Sequence, residues 1–555
     1  MNMENHQRMR IFNDIDNRES FKNWQEKDKL TLRKNHIFDK LLAKRKLNTL
    51  KEEFTKSKYV ININEISTNE EIKNNAELYI KTKFDIKNWF KYLFSSNINQ
   101  IKEALYIIDL FVKLQIQELK LEKRILSRND TDLINGLCNY LNHPDKQIAF
   151  YACCIISNLT FFPQHIESRI YTEKNLNKIM LFFNNNDFSF GYEIINLVLN
   201  CCTNSPQIDF FIKNKIFERL SFLMNTNLEK LEPKYYIYII RLLRNLIFLF
   251  EDNDYKEKYN IEQIKNWFMP FLSFVKNTTK NYYVNNPWVQ YEECEYFIKL
   301  INFYVNLNSR DENSLLCILK DDFCKVLLEL YYKINDNEHK NSLMKVYIDF
   351  LSNFDSINQI FIDEGILGLL LNEINRIEYK NFELLENILL ACINIACGSI
   401  GQIEQLFGQG LIWKSIDIAD YYSKQKLTID IRKIMFNSIL IFVECINGAS
   451  NFVIVELMLY QDYKIIYLLS FAIKNIVDNY NKSSFLIEIC SAFCNLIKSA
   501  ESDLDEEAVK KFKNILIKSG MEEISCNYIL SLDDNIPEEK KMKFDFNELI
   551  SYMKE

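Results

Sequence analysis

The sequence predicts an all-helical protein built from repeated helical units, and three observations lead to that prediction. First, the 555 residues contain only 10 glycines and 7 prolines, whereas antiparallel β folds need a turn about every ten residues and use these two residue types for most of them. Second, hydrophobic residues make up 48% of the chain and charged residues 26%, so most of the chain is expected to fold. Third, one helix-length pattern recurs along the chain.

The recurring pattern is an apolar stripe with an asparagine near its C-terminal end, followed by a polar turn. In the first clear copy, Ile148, Ala152 and Ile155 follow helical spacing, and Cys154 and Asn158 lie four residues apart on a neighbouring stripe. The stripe that carries the asparagine is therefore expected to face one side in every repeat. The equivalent positions of the eight copies are Asn158, Asn200, Asn245, Asn306, Asn353, Asn394, Glu444 and Asn495.

The spacing of these positions, 41 to 61 residues, is typical of armadillo and HEAT repeats, which have periods of about 40–47 residues and two or three helices each. The widest gap holds an insertion rich in charge and tyrosine, Glu251 to Glu293. We therefore predict a right-handed α-solenoid of about ten armadillo repeats. Residues 75–500 would form the first nine repeats and residues 501–555 the last, capping repeat and tail. Such a solenoid builds a long concave groove lined by the last helix of each repeat.

A flexible basic arm is predicted at residues 1–57. Residues 1–50 hold 12 Lys or Arg against 7 Asp or Glu, a net charge of +5. Because the whole chain has a net charge of −7, the remaining residues carry −12. A basic arm on an acidic body indicates either self-association of the arm or a separate partner for it. The acidic body argues against direct nucleic-acid binding.

Residue types that carry catalysis or metal binding form no recognisable motif in the sequence. The 14 cysteines include no Cys-x-x-Cys pair, and neighbours such as Cys153 and Cys154 lie in apolar runs, as is typical of free cysteines in a reducing compartment. The five histidines are dispersed, and there is no glycine-rich phosphate loop. No apolar stretch reaches the roughly 20 residues of a membrane span. We therefore expect a soluble intracellular protein that is not an enzyme and that binds no metal or cofactor.

The arm resembles a known family. It contains Leu-Arg-Lys-Asn, then five further residues, then a leucine pair and a closing Lys-Arg-Lys cluster. An Arg-Ile-Phe-Asn stretch lies upstream. This order is similar to the importin-β-binding segment of the importin-α family. In the body, Asn158–Thr160, Asn200–Pro206, Asn394–Gly398 and Ser519–Ile524 resemble individual family repeats. The arm residues that carry the resemblance are Arg10, Leu32, Arg33, Lys34, Leu41, Leu42, Lys44, Arg45 and Lys46.

The resemblance implies a nuclear import adaptor that shuttles between cytoplasm and nucleus. It would bind basic nuclear localisation signals of cargo proteins in its groove, link them to importin β and be recycled by an export receptor, without inserting into a membrane. The arm residues would bind importin β and, in its absence, occupy the groove. A solvated charge run is the alternative for the basic cluster. The implied cargo-binding residues are Asn158, Asn200, Asn204, Asn245, Asn306, Asn353, Asn394 and Glu444.

In the family, each of these asparagines follows a tryptophan by four residues. The amide bonds the peptide backbone, and the tryptophan rings form slots for lysine side chains. An asparagine near a helix end can instead bond a neighbouring backbone group, so a purely structural role is the alternative for each one. None of the five tryptophans of this chain precedes an asparagine in this way. The equivalent positions hold Cys154, Asn196, Arg241, Asn302, Asp349, Leu390, Leu440 and Ser491.

The loss of the tryptophans predicts an altered cargo preference. Each lost cation–π contact could remove roughly 0.5–2 kcal/mol, Arg241 would repel a lysine, and Asn204 replaces an aspartate of the family pattern. Asp349 and Glu444 could give the later repeats a compensating acidic character. The alternative function is an armadillo scaffold that has lost transport of basic signals, and binding of importin β to residues 1–57 would separate the two hypotheses.

Overall fold

The described part of the chain is helical throughout. In this computed structural model, every regular element among the described residues is a helix, which confirms the predicted all-helical class. The arm with its basic cluster lies outside the described residues, and so does Asn204. The described residues are 59–83, 86–118, 131–160, 170–185, 193–202, 205–227, 233–251, 259–280, 291–377, 379–475, 482–525 and 537–554.

The chain divides into two compact units, residues 1–275 and 276–555. In the first unit the helices α4, α6, α8 and α11 pack side by side in this order. The predicted apolar stripe of Ile148, Ala152 and Ile155 on α6 is fully buried. The helices of this unit are α1 Ile63–Ile66, α2 Glu70–Lys83, α3 Ile86–Leu93, α4 Ile98–Glu118, α5 Thr131–Tyr140, α6 Lys146–Leu159, α7 Glu173–Asn185, α8 Glu193–Cys201, α9 Ser205–Lys213, α10 Ile216–Asn227, α11 Pro233–Glu251 and α12 Ile261–Phe268.

Helix α13, Leu272–Thr278, crosses the boundary between the units, and fifteen further helices of the described residues follow it. None of the described helices combines the length and the apolar composition that a bilayer span requires. The helices of the second unit are α14 Tyr291–Asn308, α15 Glu312–Leu319, α16 Phe323–Lys333, α17 Asn337–Leu351, α18 Asp355–Asp363, α19 Ile366–Ile377, α20 Phe382–Ala396, α21 Ile400–Gly408, α22 Leu411–Ser423, α23 Ile429–Gly448, α24 Asn451–Leu459, α25 Lys464–Asn475, α26 Lys482–Asp503, α27 Glu506–Lys518 and α28 Pro537–Lys554.

From α15 to α26 the helices recur in groups of three. Each group has a first helix of 8 or 9 residues, a second of 11 to 13 and a third of 15 to 22. We call the last member of each group, together with α4, α6, α8, α11, α14 and α28, a third helix. The third helices α14, α17, α20, α23, α26 and α28 pack each against the next. The predicted period is thus the period of these three-helix groups.

Polar residues between successive helices cap the N-terminus of the helix that follows. Asp311, Asp336, Asn381, Thr428 and Asp505 each precede a helix, and each side chain accepts a hydrogen bond from a backbone N–H of the first turn. These bonds satisfy donors that a helix N-terminus leaves without a partner. The polar turns between the apolar stripes therefore set where one helix ends and the next begins.

Gly398 permits a close approach between two groups. A Cβ atom at this position would lie 2.0 Å from Oε1 of Gln402. That oxygen accepts the backbone N–H of Ser399 at 3.2 Å, while Nε2 of Gln402 donates to the carbonyl of Asp355 at 2.7 Å. Because glycine has no side chain, Gln402 on α21 can bond both the turn after α20 and the first residue of α18, in the preceding group.

Candidate ligand-binding face of the third helices

The sequence-predicted binding residues that the structure describes all lie on third helices or directly after one. Asn306 is exposed, Asn394 is only 7% exposed, and the others are half-buried. We call the residue at each of these places, and the residue four positions before it, the ladder positions of that helix. The predicted residues are Asn158 on α6, Asn200 on α8, Asn245 on α11, Asn306 on α14, Asn353 just after α17, Asn394 on α20 and Glu444 on α23.

In the first unit, α4 adds a pair of ladder positions that are not among the eight copies of the sequence pattern. Asp109 and Lys113 are four residues apart on α4, which packs against α6. Nζ of Lys113 lies 2.6 Å from Oδ2 of Asp109. Burial raises the pKa of the Asp109 carboxyl, although Lys113 and the amide of Asn158 both act to lower it. Asn158 therefore bonds to Asp109 of the preceding third helix, which is also ion-paired with Lys113.

Helices α6 and α8 of the first unit are joined through Ser157 on α6. Asn196 donates from Nδ2 to Oγ of Ser157 at 2.8 Å, and Asn200 donates to the carbonyl of Ser157 at 3.1 Å. Both ladder positions of α8 thus bond to α6. An amide carries two N–H donors and one acceptor, so a bond of this kind leaves capacity for a ligand backbone.

The ladder amides of the second unit make similar bonds. Asn306 donates to Oδ1 of Asn302 at 3.2 Å and also hydrogen bonds to the carboxyl group of Asp349. Asn353 donates to the carbonyl of Asp349, and Asn394 donates to the carbonyl of Ile348 at 3.2 Å. Asn353 and Asn394 therefore bond neighbouring backbone carbonyls, which is the structural role that the sequence left open as an alternative. Their binding to a peptide stays a prediction.

Two carboxylates of neighbouring third helices lie close to one thiol. Cys397, just after α20, shares a hydrogen bond with Glu444 on α23, and burial, Glu444, Cys445 and Glu488 together raise the pKa of the thiol well above its usual value. Asn447 donates to the carbonyl oxygen and to Oε2 of Glu488, at 3.1 Å each. We call Cys397, Glu444, Asn447 and Glu488 the acidic cluster. Its negative potential suits a cationic side chain.

The sequence contains a signal for Glu488 that lies outside the asparagine pattern of the repeats. Glu488 precedes the ladder position Ser491 by three residues, so it lies about one turn away on the same face of α26. The second ladder position of α26, Asn495, donates to Oδ1 of Asn447 at 3.1 Å. The acidic cluster is thus continuous with the ladder. Cys397 had no signal in the sequence because its contact with Glu444 depends on packing between two groups.

Asp349 is a carboxyl group whose charge changes near neutral pH. Burial raises its pKa to about 7, against the opposing effects of Asn306 and Lys345. Because the folded protein holds this proton more tightly than the unfolded chain, the stability that protonation contributes is lost as the pH rises from about 4 through about 7. We expect D349N to raise the free energy of unfolding by about 1–2 kcal/mol at pH 8 and to have little effect near pH 4.

Urea unfolding at pH 4.5, 6 and 8 measures this effect. The exposed aspartate of α23, Asp430, provides the matched control, because D430N makes the same substitution at the surface of the same unit. A D349N effect of equal size at all three pH values would contradict the assignment.

One other group of potential ligand atoms lies away from the ladder. Cys494 on α26 and Asp545 and Glu548 on α28 place their ligand atoms within 4.8 Å of one another. The sequence predicts no metal site and contains no signal for this proximity. Glu548 is exposed, and acidic groups on helix surfaces commonly approach one another without an ion, so this group does not by itself make a metal site.

Comparison with known proteins identifies the fold. No protein-family model and no curated protein matches the sequence. Among solved structures, an engineered protein matches with a TM-score of 0.52 and 14% identity, over 85% of this chain and 99% of its own. A chain from a structural study of the phosphorylation-controlled interaction between cadherin and beta-catenin matches with a TM-score of 0.53 and 9% identity, over 89% of this chain and 99% of its own.

A designed armadillo repeat protein also matches, over 50% of this chain and 99% of its own, with a TM-score of 0.36 and 16% identity. Identities this low say nothing about a shared ligand. Together with the three-helix groups, the two matches with TM-scores above 0.5 lead to one conclusion. The chain has the fold of an armadillo-repeat α-solenoid.

Proposed function

We propose that this protein is a non-enzymatic adaptor that binds an extended, basic nuclear localisation signal along its third helices. The observation that carries this proposal is the acidic cluster, in which Glu444 and Glu488 come from neighbouring third helices. A lysine or arginine side chain placed between these carboxylates would gain charge-assisted hydrogen bonds. The neighbouring amides of Asn394 and Asn495 would bond the peptide backbone, which has the same donors and acceptors whatever the sequence.

The N-terminal arm supports the import part of the proposal. Its Leu-Arg-Lys, Leu-Leu and Lys-Arg-Lys order resembles an importin-β-binding segment, and its net charge of +5 for residues 1–50 is complementary to the acidic cluster. In this proposal the arm competes with cargo for the cluster until importin β removes it, and the protein shuttles between cytoplasm and nucleus. An export receptor would then return it to the cytoplasm.

Fluorescence anisotropy with a labelled basic signal peptide tests the proposal. The full-length protein is compared with residues 58–555 at physiological salt, and a peptide with every lysine replaced by glutamine is the control. Tighter binding by the truncated protein supports both the binding face and the competing arm. If neither form binds, the cargo proposal is wrong.

The scaffold alternative makes a different prediction. A scaffold that has lost transport has no use for an importin-β-binding arm. A pull-down of importin β with residues 1–57 therefore separates the two functions. Binding that disappears when Leu41 and Leu42 are replaced by alanine supports the adaptor, and the absence of binding favours the scaffold.

A further inference from the structure

The charges at the ladder positions have opposite signs in the two units. In the second unit, the acidic or basic residues at these positions are Asp349, whose charge changes near neutral pH, and Glu444. In the first unit they are Asp109, Lys113 and Arg241. Because Asp109 is buried and ion-paired with Lys113 at 2.6 Å, that pair contributes little net charge. Arg241 is therefore the basic residue of the first-unit ladder that has no counterpart in the second unit.

Helix α11 carries a second guanidinium beside the first. Arg241, Arg244 and Asn245 lie within about one turn on one face of the helix and are all half-buried, whereas the opposite face is buried. Arg241 lies over the ring of Tyr238, with 5.9 Å from Cζ to the ring centroid. Nη1 of Arg244 lies 3.4 Å from Oδ1 of Asn245. Both arginines therefore lie on the ladder face of α11, three residues apart.

The helix that packs against α11 contributes amides. Helix α8 packs against α11 and presents Asn196 and Asn200, both held in place by bonds to Ser157. Amide groups of this kind can bond the backbone of an extended segment. The side chains of that segment would then meet Arg241 and Arg244 on the adjacent helix.

The chemistry of a guanidinium determines which side chains can bind there. Arginine stays protonated at all physiological pH values, and its planar fork matches a carboxylate through two parallel hydrogen bonds. A lysine placed in the same position would bring like charges together in a half-buried environment, where their repulsion is stronger than in water. This part of the ladder therefore selects against basic segments and in favour of acidic ones.

We infer that α8 and α11 form a binding site for an extended segment of a partner protein that carries aspartate or glutamate side chains. The first unit would thus bind an acidic stretch while the second unit binds a basic one. This inference rests on the proposed function in one respect, namely that the third-helix face binds extended peptides. It differs from that proposal in the residues that bind and in the sign of the ligand charge.

The test measures the anisotropy of two labelled peptides, one of alternating serine and glutamate and one of alternating serine and lysine, with the full-length protein at physiological salt. We expect R241Q/R244Q to weaken binding of the glutamate peptide by at least about 10-fold and to leave the lysine peptide unaffected. E444Q/E488Q should show the reverse. K174Q/K215Q, which changes two exposed lysines of the same unit, is the charge-matched control and should affect neither peptide.

Each failure has a separate meaning. If the wild-type protein does not bind the glutamate peptide, or if R241Q/R244Q and K174Q/K215Q weaken its binding equally, the inference is overturned. Lysine-peptide binding that still depends on Glu444 and Glu488 would leave the proposed function intact in that case. If only a phosphoserine version of the acidic peptide binds, the assignment to carboxylate side chains is wrong. Circular dichroism and thermal midpoints confirm that the variants fold.

Discussion

Reversing the charge of the acidic cluster with E444K/E488K is expected to weaken binding of a basic signal peptide by at least about 100-fold. A hydrogen bond to a charged group contributes about 1.5–3 kcal/mol, and each 1.4 kcal/mol corresponds to about a tenfold change in affinity. The double substitution removes two attractive carboxylates and puts two ammonium groups in their place. Because both side chains are half-buried, solvent screens the resulting repulsion only partly.

The measurement is fluorescence anisotropy with residues 58–555, so that the arm does not compete. The control E329K/E456K makes the same change in net charge at two exposed glutamates, on α16 and α24, and should weaken binding by no more than about 3-fold through long-range electrostatics. Equal losses in the two double variants would show that the peptide responds to net charge alone and does not bind at the acidic cluster.

The variant E373A is expected to destabilise the second unit by about 3–5 kcal/mol. Glu373 on α19 is 5% exposed and Lys340 on α17 is 7% exposed, and their charged atoms lie 2.9 Å apart. Nη2 of Arg376 lies 2.7 Å from the other carboxylate oxygen. Removing the carboxylate would leave a buried ammonium group without its counter-charge, which costs more than the ion pair contributes.

The same ion pair predicts a pH dependence. Burial acts to raise the pKa of Glu373, but hydrogen bonds and charges from Arg376 and Lys340 outweigh it and lower the pKa below its usual value. The stabilisation from the pair is therefore present at neutral pH and is lost as the pH falls through the range below about 4. The difference in stability between wild type and E373A should shrink accordingly on acidification.

Urea unfolding followed by circular dichroism measures these effects. K345A/E383A, which removes an exposed pair with 3.2 Å between charged atoms, is the control and should cost no more than about 1 kcal/mol. K340M/E373M replaces both buried charges with apolar side chains and should recover much of the stability lost in E373A. An E373A cost as small as that of the exposed pair would contradict the assigned role of Glu373.

The fold class and the repeat could be predicted because both depend on patterns of residues that are close together in the sequence. Helical spacing such as that of Ile148, Ala152 and Ile155 needs only the neighbouring residues to be recognised, and a solenoid repeats the same local unit. The same spacing located the ladder positions, including Asn394 and Glu444, and the structure places them on third helices. The resemblance of the arm to an importin-β-binding segment also came from the sequence, and the import function that it implies stays a prediction.

The sequence by itself determined the helices, their period and the register of the ladder, since these follow from residue order within one repeat. Only the tertiary structure decided which side chains of different repeats come into contact. Cys397, Glu444 and Glu488 come from three different groups, and Asp109 meets Asn158 only because α4 packs against α6. The physical reason is that the distance between side chains of separate helices depends on how those helices pack, and the spacing of residues along the chain contains no direct measure of that packing.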